Sequence, residues 1–251
     1  MKERVTLTID EKLIRRIDAS IDGMHIKNRS HAVELLIRKG LDQGLPEHAI
    51  VLCGTTQDHL RAAMSEVEGK TMVEHNVQHL LDQGVPNIYV ITAHAQEITQ
   101  ALKHLTEEVR IITESTPLGT AGAIHLAKPY LSGTFILTNA SSYKEVNLKE
   151  MYAFHSHHKG TCTIALTSVS DPTQYGVALL NGNRVITFVE KPRKENAPSN
   201  LISAGLYIMN LEVFNFIPDG YARMEHDVFP KLAKQDTLYG YNFPGTYLDV
   251  Q

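Results

Sequence analysis

Apolar runs of strand length alternate with stretches of helical spacing from Ala49 to Leu137, and that alternation leaves the chain few folds. Ala49-Ile50-Val51-Leu52 is unbroken apolar sequence ending at Gly54, the pattern of a strand covered on both faces in a parallel sheet. Helical spacing over Met72 to Gln83 follows, then a strand from Ile88 to Thr92, a helix from Gln96 to Leu105, and strands from Val109 to Thr113 and Thr134 to Leu137. Strands separated by helices predict an α/β fold, a doubly wound and mainly parallel sheet, over residues 47–251. Later segments extend it: a helix from Leu148 to His158, a strand from Thr163 to Val169, and a hairpin at Asn181-Gly182-Asn183. Ligands of such sheets sit beyond the carboxyl ends of strands, where the candidate sites of this body are expected.

Residues 1–44 follow another pattern. Val5, Leu7 and Ile9 alternate with Arg4, Thr6 and Thr8, which predicts a short strand with one apolar and one polar face. Asp10 is placed to cap a helix carrying Leu13, Ile14, Ile17 and Ile21 and ending near Gly23. A second helix starts at Asn28 or Ser30, carries Ala32, Val33, Leu36, Ile37 and Leu41, and ends by Gly44-Leu45-Pro46. So small a β-α-α unit cannot bury its apolar faces alone, and a second copy is expected to complete it, giving a homodimer or higher even oligomer.

This order resembles ribbon-helix-helix repressors, whose paired strands enter the DNA major groove as an antiparallel ribbon. The resemblance covers residues 2–43 and implies double-stranded DNA as a partner. Lys2, Arg4, Thr6 and Thr8 then face the groove, where arginine can fork onto guanine and threonine can touch a thymine methyl. Asn28, Arg29 and Ser30 put helix amides and a guanidinium on phosphate. The family often carries an acidic residue where His31 stands. A head that only dimerises is the alternative.

Charge separates the two parts. The whole chain has a formal charge of -4, yet residues 1–44 hold nine Lys and Arg against seven Asp and Glu, a net +2 on a body of net -6. Two modules with different partners are implied. No apolar run approaches the roughly 20 residues that cross a bilayer, and Met1-Lys2-Glu3-Arg4 is no secretory signal, so a cytoplasmic protein without a membrane partner is expected. Cys53 and Cys162 lack paired spacing, and buried free thiols are expected. His75 and His79, one helical turn apart, and the cluster His155, His157 and His158 have no third ligand in sequence, so solvated helix surface is expected rather than metal.

A proline turn with two glycines follows the strand at Val109: Glu114-Ser115-Thr116-Pro117-Leu118-Gly119-Thr120-Ala121-Gly122-Ala123. Glycines allow close backbone approach, and the apolar helix expected from Ala123 to Ala127 would offer unpaired amides. The segment resembles the E-x-P-L-G-T-A-G-A loop of sugar-1-phosphate nucleotidyltransferases, which join a nucleoside triphosphate and a sugar phosphate into a nucleotide-sugar and pyrophosphate. Phe188-Val189-Glu190-Lys191-Pro192, Ser203-Ala204-Gly205-Leu206-Tyr207 and Gly69-Lys70-Thr71-Met72-Val73-Glu74-His75 match further family segments in order. The resemblance runs from about residue 49 to the C-terminus and implies a Rossmann-like sheet. It implies a nucleotide site at Gly54, Gly119, Thr120, Ala121 and Gly122. Gly176, Glu190, Lys191 and Gly205 fall at the sugar phosphate, and Asp249 matches an aspartate that helps hold Mg²⁺.

Two family features are missing. Leu52-Cys53-Gly54-Thr55-Thr56-Gln57-Asp58 stands where a G-G-x-G-T-R loop would cradle the triphosphate, and Asp58 puts negative charge there. Asn139-Ala140-Ser141 stands for N-G-D, so Ser141 replaces a metal carboxylate with a neutral hydroxyl. The sequence ends two residues after Asp249, short of the extension the family usually carries. The expectation is a DNA-binding regulator whose body binds a nucleotide or nucleotide-sugar as effector, with no catalytic residues; Mg²⁺ is implied only if nucleotidyl transfer survives. An active sugar-1-phosphate nucleotidyltransferase with a remodelled phosphate loop is the alternative.

Overall fold

The computed structural model of the chain describes residues 6–23, 26–41, 44–105 and 109–249. Two compact units divide it, Met1–Gly44 and Leu45–Gln251.

In the first unit, Asp10 caps helix α1 (Glu11–Asp18), its Oδ1 accepting from the amides of Lys12 and Leu13 at 2.8 and 3.3 Å. Helix α2 (Arg29–Leu41) starts after Asn28, whose Oδ1 accepts from the His31 amide at 2.9 Å. Of the described residues only Ile17 and Ala32 are buried apolar ones here, while Leu7, Leu13, Leu36 and Ile37 stay exposed, as expected of half a core. The strand expected there is not formed among the described residues: 6–9 take no sheet pairing within the chain. Lys2 and Arg4 lie outside the described residues. The first helix stops at Asp18, short of Gly23, where Ser20 turns back and donates its hydroxyl to the Ile17 carbonyl at 2.6 Å.

The second unit begins with strand β1 (His48–Gly54), helix α3 (Gln57–Ala63), the small hairpin β2 (Glu66–Val67) and β3 (Lys70–Thr71), and helix α4 (Met72–Asp82). Strand β4 (Asn87–Thr92), helix α5 (Ala95–Ala101), strand β5 (Val109–Thr113), the one-turn helix α6 (Gly119–Gly122) and strands β6 (Phe135–Asn139) and β7 (Ser142–Lys144) follow. Helix α7 (Leu148–His158) leads to strands β8 (Cys162–Ser168), β9 (Gly176–Asn181), β10 (Arg184–Glu190) and β11 (Leu201–Met209). Helix α8 (Phe229–Lys234) and strands β12 (Leu238–Asn242) and β13 (Tyr247–Asp249) complete it.

Nine strands form one sheet in the order β5-β4-β1-β6-β11-β8-β12-β10-β9. The expected parallel order occupies one half, β5-β4-β1-β6. The other half is mixed: β11 runs antiparallel to β6 and β8, and β10 to β12 and β9, while β12 lies parallel to β8. One of these pairs is a hairpin, since β9 and β10 are joined by only Gly182-Asn183 and must run antiparallel. Alternate residues of β1 serve two cores: Ile50 and Leu52 face α6, α8 and Phe135, while Ala49, Val51 and Cys53 face α3, α4, α5 and α7. Cover on both faces explains why β1 reads as continuous apolar sequence. Cys53 and Cys162 are buried free thiols, and burial pushes Cys53 up to about 12. Among the described residues no helix is long and apolar enough to cross a membrane.

Candidate functional site

The carboxyl end of β1 sets one wall. Gly54 has φ +70°, and a Cβ there would collide with the His59 ring. The chain turns at once into α3 through a capping box: Thr56 Oγ1 accepts the His59 amide at 3.2 Å, and His59 Nδ1 accepts the Thr56 amide at 3.5 Å. Two backbone amides of this turn, those of Thr56 and His59, are thus bonded within it. Asp58 lies on the first turn of α3, paired at 2.6 Å with Arg61, and both side chains are exposed.

The Gly119–Gly122 turn meets a second segment from far along the chain. Ala121 and Gly122 donate their amides to the Ala222 carbonyl at 2.9 and 3.1 Å, and the Ala222 amide returns to Leu118 O at 2.8 Å. Thr120 Oγ1 donates to Glu225 Oε2 and accepts from the Met224 amide, both at 2.9 Å. Gly119 has φ +74°, and a Cβ on it would strike Ala222 O; one on Gly122 would lie 2.5 Å from Gly220 O. The glycines therefore admit a neighbouring backbone. The helix expected at Ala123 begins at Gly119 instead and runs into a 3₁₀ turn, Ala123–Leu126. Buried Glu114, its carboxyl pushed up by burial, holds the loop through the Leu118 amide at 2.7 Å.

Two clefts flank this wall. One, of about 430 Å³, is lined by Gly54, Glu114, Gly119, Thr120, Tyr221 and Arg223 among others. The other, of about 470 Å³, is lined by Asn139, Ser141, Gly176, Glu190, Lys191, Gly205 and Asp249 among others. His59, Glu190 and Glu225 line both, so the clefts adjoin. Ala121 and Gly122 are buried and line neither. The sequence offered no signal for Tyr221, Arg223 or Glu225, while Asn139 was marked only as the asparagine of the N-G-D match.

The antiparallel half explains how the second cleft gathers its residues, because starts of strands meet ends of others. Gly176 opens β9 and pairs with Glu190 at the end of β10, while Leu206, next to Gly205 within β11, pairs with Thr138, next to Asn139. Those two glycines are not at carboxyl ends, as the parallel expectation would have them. Gly205 has φ +71°, with its Cβ position 3.1 Å from Asn139 Nδ2. Burial raises Glu190, and Glu225 adds to it, against Lys191 and Arg223. Lys191 takes φ +44°, unusual for a residue with a Cβ, and its amide donates to Tyr175 O at 2.9 Å.

At the end of β6 the turn Asn139–Ser142 faces Asp249, which pairs with Ser142 across β7 and β13. Asn76, buried on α4, donates Nδ2 to Met72 O at 2.8 Å and Ser142 O at 2.9 Å. Lys144 is 1% exposed; Nζ donates to Asn139 O at 2.7 Å, to Ser142 O at 3.0 Å and to Ser142 Oγ at 3.4 Å. Burial pushes this lysine down to about 7 and Asp249 opposes the shift. Burial raises the neighbouring Tyr175 hydroxyl, and the Asp249 carboxylate adds to the shift. The donor set at this corner is one carboxylate, a serine hydroxyl and carbonyls beside an ammonium, which does not fit Mg²⁺. Among the described residues no three His, Cys, Asp or Glu come together as a metal site.

The histidines correct one expectation. His75 and His79 are half-buried and bond separate carbonyls, Val67 O at 2.7 Å and Val146 O at 3.0 Å. His155 is buried, between Thr163 and Asn210. His75 and His79 face Tyr143 of β7 and His155 faces β8, packing that spacing alone did not show. In the first unit Arg29 is forked onto Asp18, Nε to Oδ1 at 2.7 Å and Nη2 to Oδ2 at 2.6 Å.

Comparison with known proteins agrees with this architecture. Residues 52–250 match the nucleotidyl transferase family, and residues 3–44 match ribbon-helix-helix proteins of the copG family. Mannose-1-phosphate guanyltransferase 2 of Candida glabrata is 34% identical over 192 residues, covering 72% of this chain and 53% of that protein. The catalytic subunit beta of the Drosophila melanogaster mannose-1-phosphate guanylyltransferase is 31% identical over 194 residues, covering 74% and 52%. The chain thus spans about half the length of the curated relatives it matches. HddC from Yersinia pseudotuberculosis, solved with GMP-PN, superposes with a TM-score of 0.66 at 25% identity, covering 80% of this chain and 92% of that one.

Proposed function

The chain belongs to the nucleotidyl transferase family and carries a ribbon-helix-helix head of the copG family, and from there we propose that it is a DNA-binding regulator whose body binds a nucleotide-sugar without making one. One observation carries the reading: β1 turns directly into α3, with the Thr56 and His59 amides bonded inside the capping box. Forming a nucleotide-sugar from a triphosphate needs donors and cations around the pyrophosphate that leaves. The turn itself offers Asp58 and no arginine until Arg61, which is paired with it; Arg223, on the adjoining cleft, comes from far along the chain. The adjoining clefts remain, with Glu190 to accept sugar hydroxyls and Lys191 to meet phosphate as a mobile point charge.

Guanyl transfer to mannose 1-phosphate gives GDP-mannose, so the relatives make it the first ligand to try. Ligand in the body shifts operator affinity only if the two states bind it differently. The test starts from DNA selected out of random duplexes with the full chain, followed by titration with and without GDP-, UDP- and dTDP-sugars. A shift in DNA affinity with one of them is expected. Unchanged affinity across the panel would sink the sensor.

A second reading, an active sugar-1-phosphate nucleotidyltransferase, is favoured by the identity to guanyltransferases and by Glu190, Lys191 and Asp249 lining one cleft. Pyrophosphate release from GTP and mannose 1-phosphate, lost in Asp249→Ala, would establish it.

A further inference from the structure

The corner of the larger cleft that faces Asp249 already contains a cation. Lys144 turns inward from β7 instead of reaching for water, and its Nζ is ringed by Asn139 O, Ser142 O and Ser142 Oγ. A lysine stem is easily buried, but its head ordinarily snorkels to solvent. Three oxygen acceptors around a head with three N–H donors, with Asp249 adjacent, favour the ammonium against the burial that draws this lysine down to about 7. The surroundings fix it: Asn76 holds Ser142 O from the other side, and the β7–β13 ladder sets Asp249 opposite Ser142. Asn139, Ser142 and Asp249 all line the cleft, so the charge lies directly behind its wall.

We propose that the Lys144 ammonium is the resident cation of this cleft, standing where a divalent ion would be held by paired carboxylates, so that a phosphorylated ligand binds there without Mg²⁺. Ser141 offers a divalent ion no charge, and the ammonium beside Asp249 repels one. The proposal rests on the nucleotide-sugar reading of the cleft for its ligand, but its claim about metal does not.

Two measurements on the full chain separate the claims. Mn²⁺ alone, titrated into wild-type protein and followed by its paramagnetic resonance, is expected to show no site tighter than millimolar. Such a site would overturn the proposal whether or not any ligand binds. GDP-mannose titrated by calorimetry is expected to bind with the same affinity, within about twofold, in chelator and in excess Mg²⁺, and about tenfold or more weakly to Lys144→Met. Binding that requires Mg²⁺, or a folded Lys144→Met that binds as wild type does, overturns it. If Lys144→Met does not fold, the Mn²⁺ titration and the chelator comparison on wild type still decide. If neither GDP-mannose nor the wider panel binds under any condition, the nucleotide-sugar reading fails, while Mn²⁺ alone still decides whether this corner takes a divalent ion.

Discussion

Glu190 stands directly across the β9–β10 ladder from Gly176, and a Cβ on Gly176 would lie 2.9 Å from Glu190 Oε2 and against the Phe188 ring tip. The glycine therefore sets where the carboxylate sits in the cleft. Gly176→Ala is expected to destabilise the body by about 1–3 kcal/mol through overpacking. It should also weaken GDP-mannose by about tenfold, since Glu190 must move. Denaturant melts read the first and calorimetry the second; a variant that keeps both values would show that Phe188 yields freely.

Lys191 combines a left-handed backbone with the charge proposed to meet phosphate. A side chain in that conformation costs about 1–2 kcal/mol that glycine avoids. Lys191→Gly should therefore melt higher than Lys191→Ala, while both lose ligand-induced stabilisation alike. Thermal melts with and without GDP-mannose separate backbone strain from charge. Equal melting of the two variants would mean that the turn carries no strain.

Arg29 is already forked onto Asp18, and this bears on its expected contact with DNA phosphate. A guanidinium neutralised within the head releases few counterions on binding. Asp18→Asn is expected to steepen the salt dependence of DNA affinity by about one unit of slope as Arg29 turns to phosphate, whereas Arg29→Ala should leave the wild-type slope nearly unchanged. Anisotropy titrations over a range of salt measure both slopes. A wild-type slope that falls by a full unit in Arg29→Ala would place Arg29 on phosphate despite Asp18.

The main strands and helices of the body from β1 to β11 could be read from the sequence because period and caps are local signals. Helix α3, the short strands β2, β3 and β7, and the closing α8, β12 and β13 were not read there. Asn147 caps α7, and Thr71 with Glu74 builds the box that opens α4. The placing of β11 between β6 and β8 could not be read, because strand order depends on contacts between segments far apart in sequence. That placing sets Gly205 beside Asn139 and brings Gly176, Glu190 and Asp249 to one cleft. The same distance hid the Ala222 carbonyl behind the amides of Ala121 and Gly122. Lys144 was invisible for a related reason: between Tyr143 and Glu145 it looks like any surface lysine, and only the fold shows that it points inward.

His155 links α7 to the sheet as a neutral ring. Asn210 Oδ1 can only accept, so Nε2 carries the proton, at 3.1 Å, and Nδ1 accepts from the Thr163 hydroxyl at 2.8 Å. Burial holds the ring below the usual histidine value, with Asn210 opposing. A histidine whose folded value is depressed contributes stability that is fully present above its unfolded value, about 6.5, and is lost as pH falls below that toward the folded value. One such group steepens the fall by at most about 1.4 kcal/mol per pH unit. His79, half-buried and also depressed by burial, contributes in the same direction, so the comparison must be with a variant. His155→Gln should be less stable than wild type at neutral pH, because glutamine cannot span Thr163 and Asn210 together. Its urea stability should fall less steeply between pH 7 and pH 5, so that the two proteins converge in acid. Parallel curves would show that His155 does not titrate on unfolding, and the neutral buried ring would have to be abandoned.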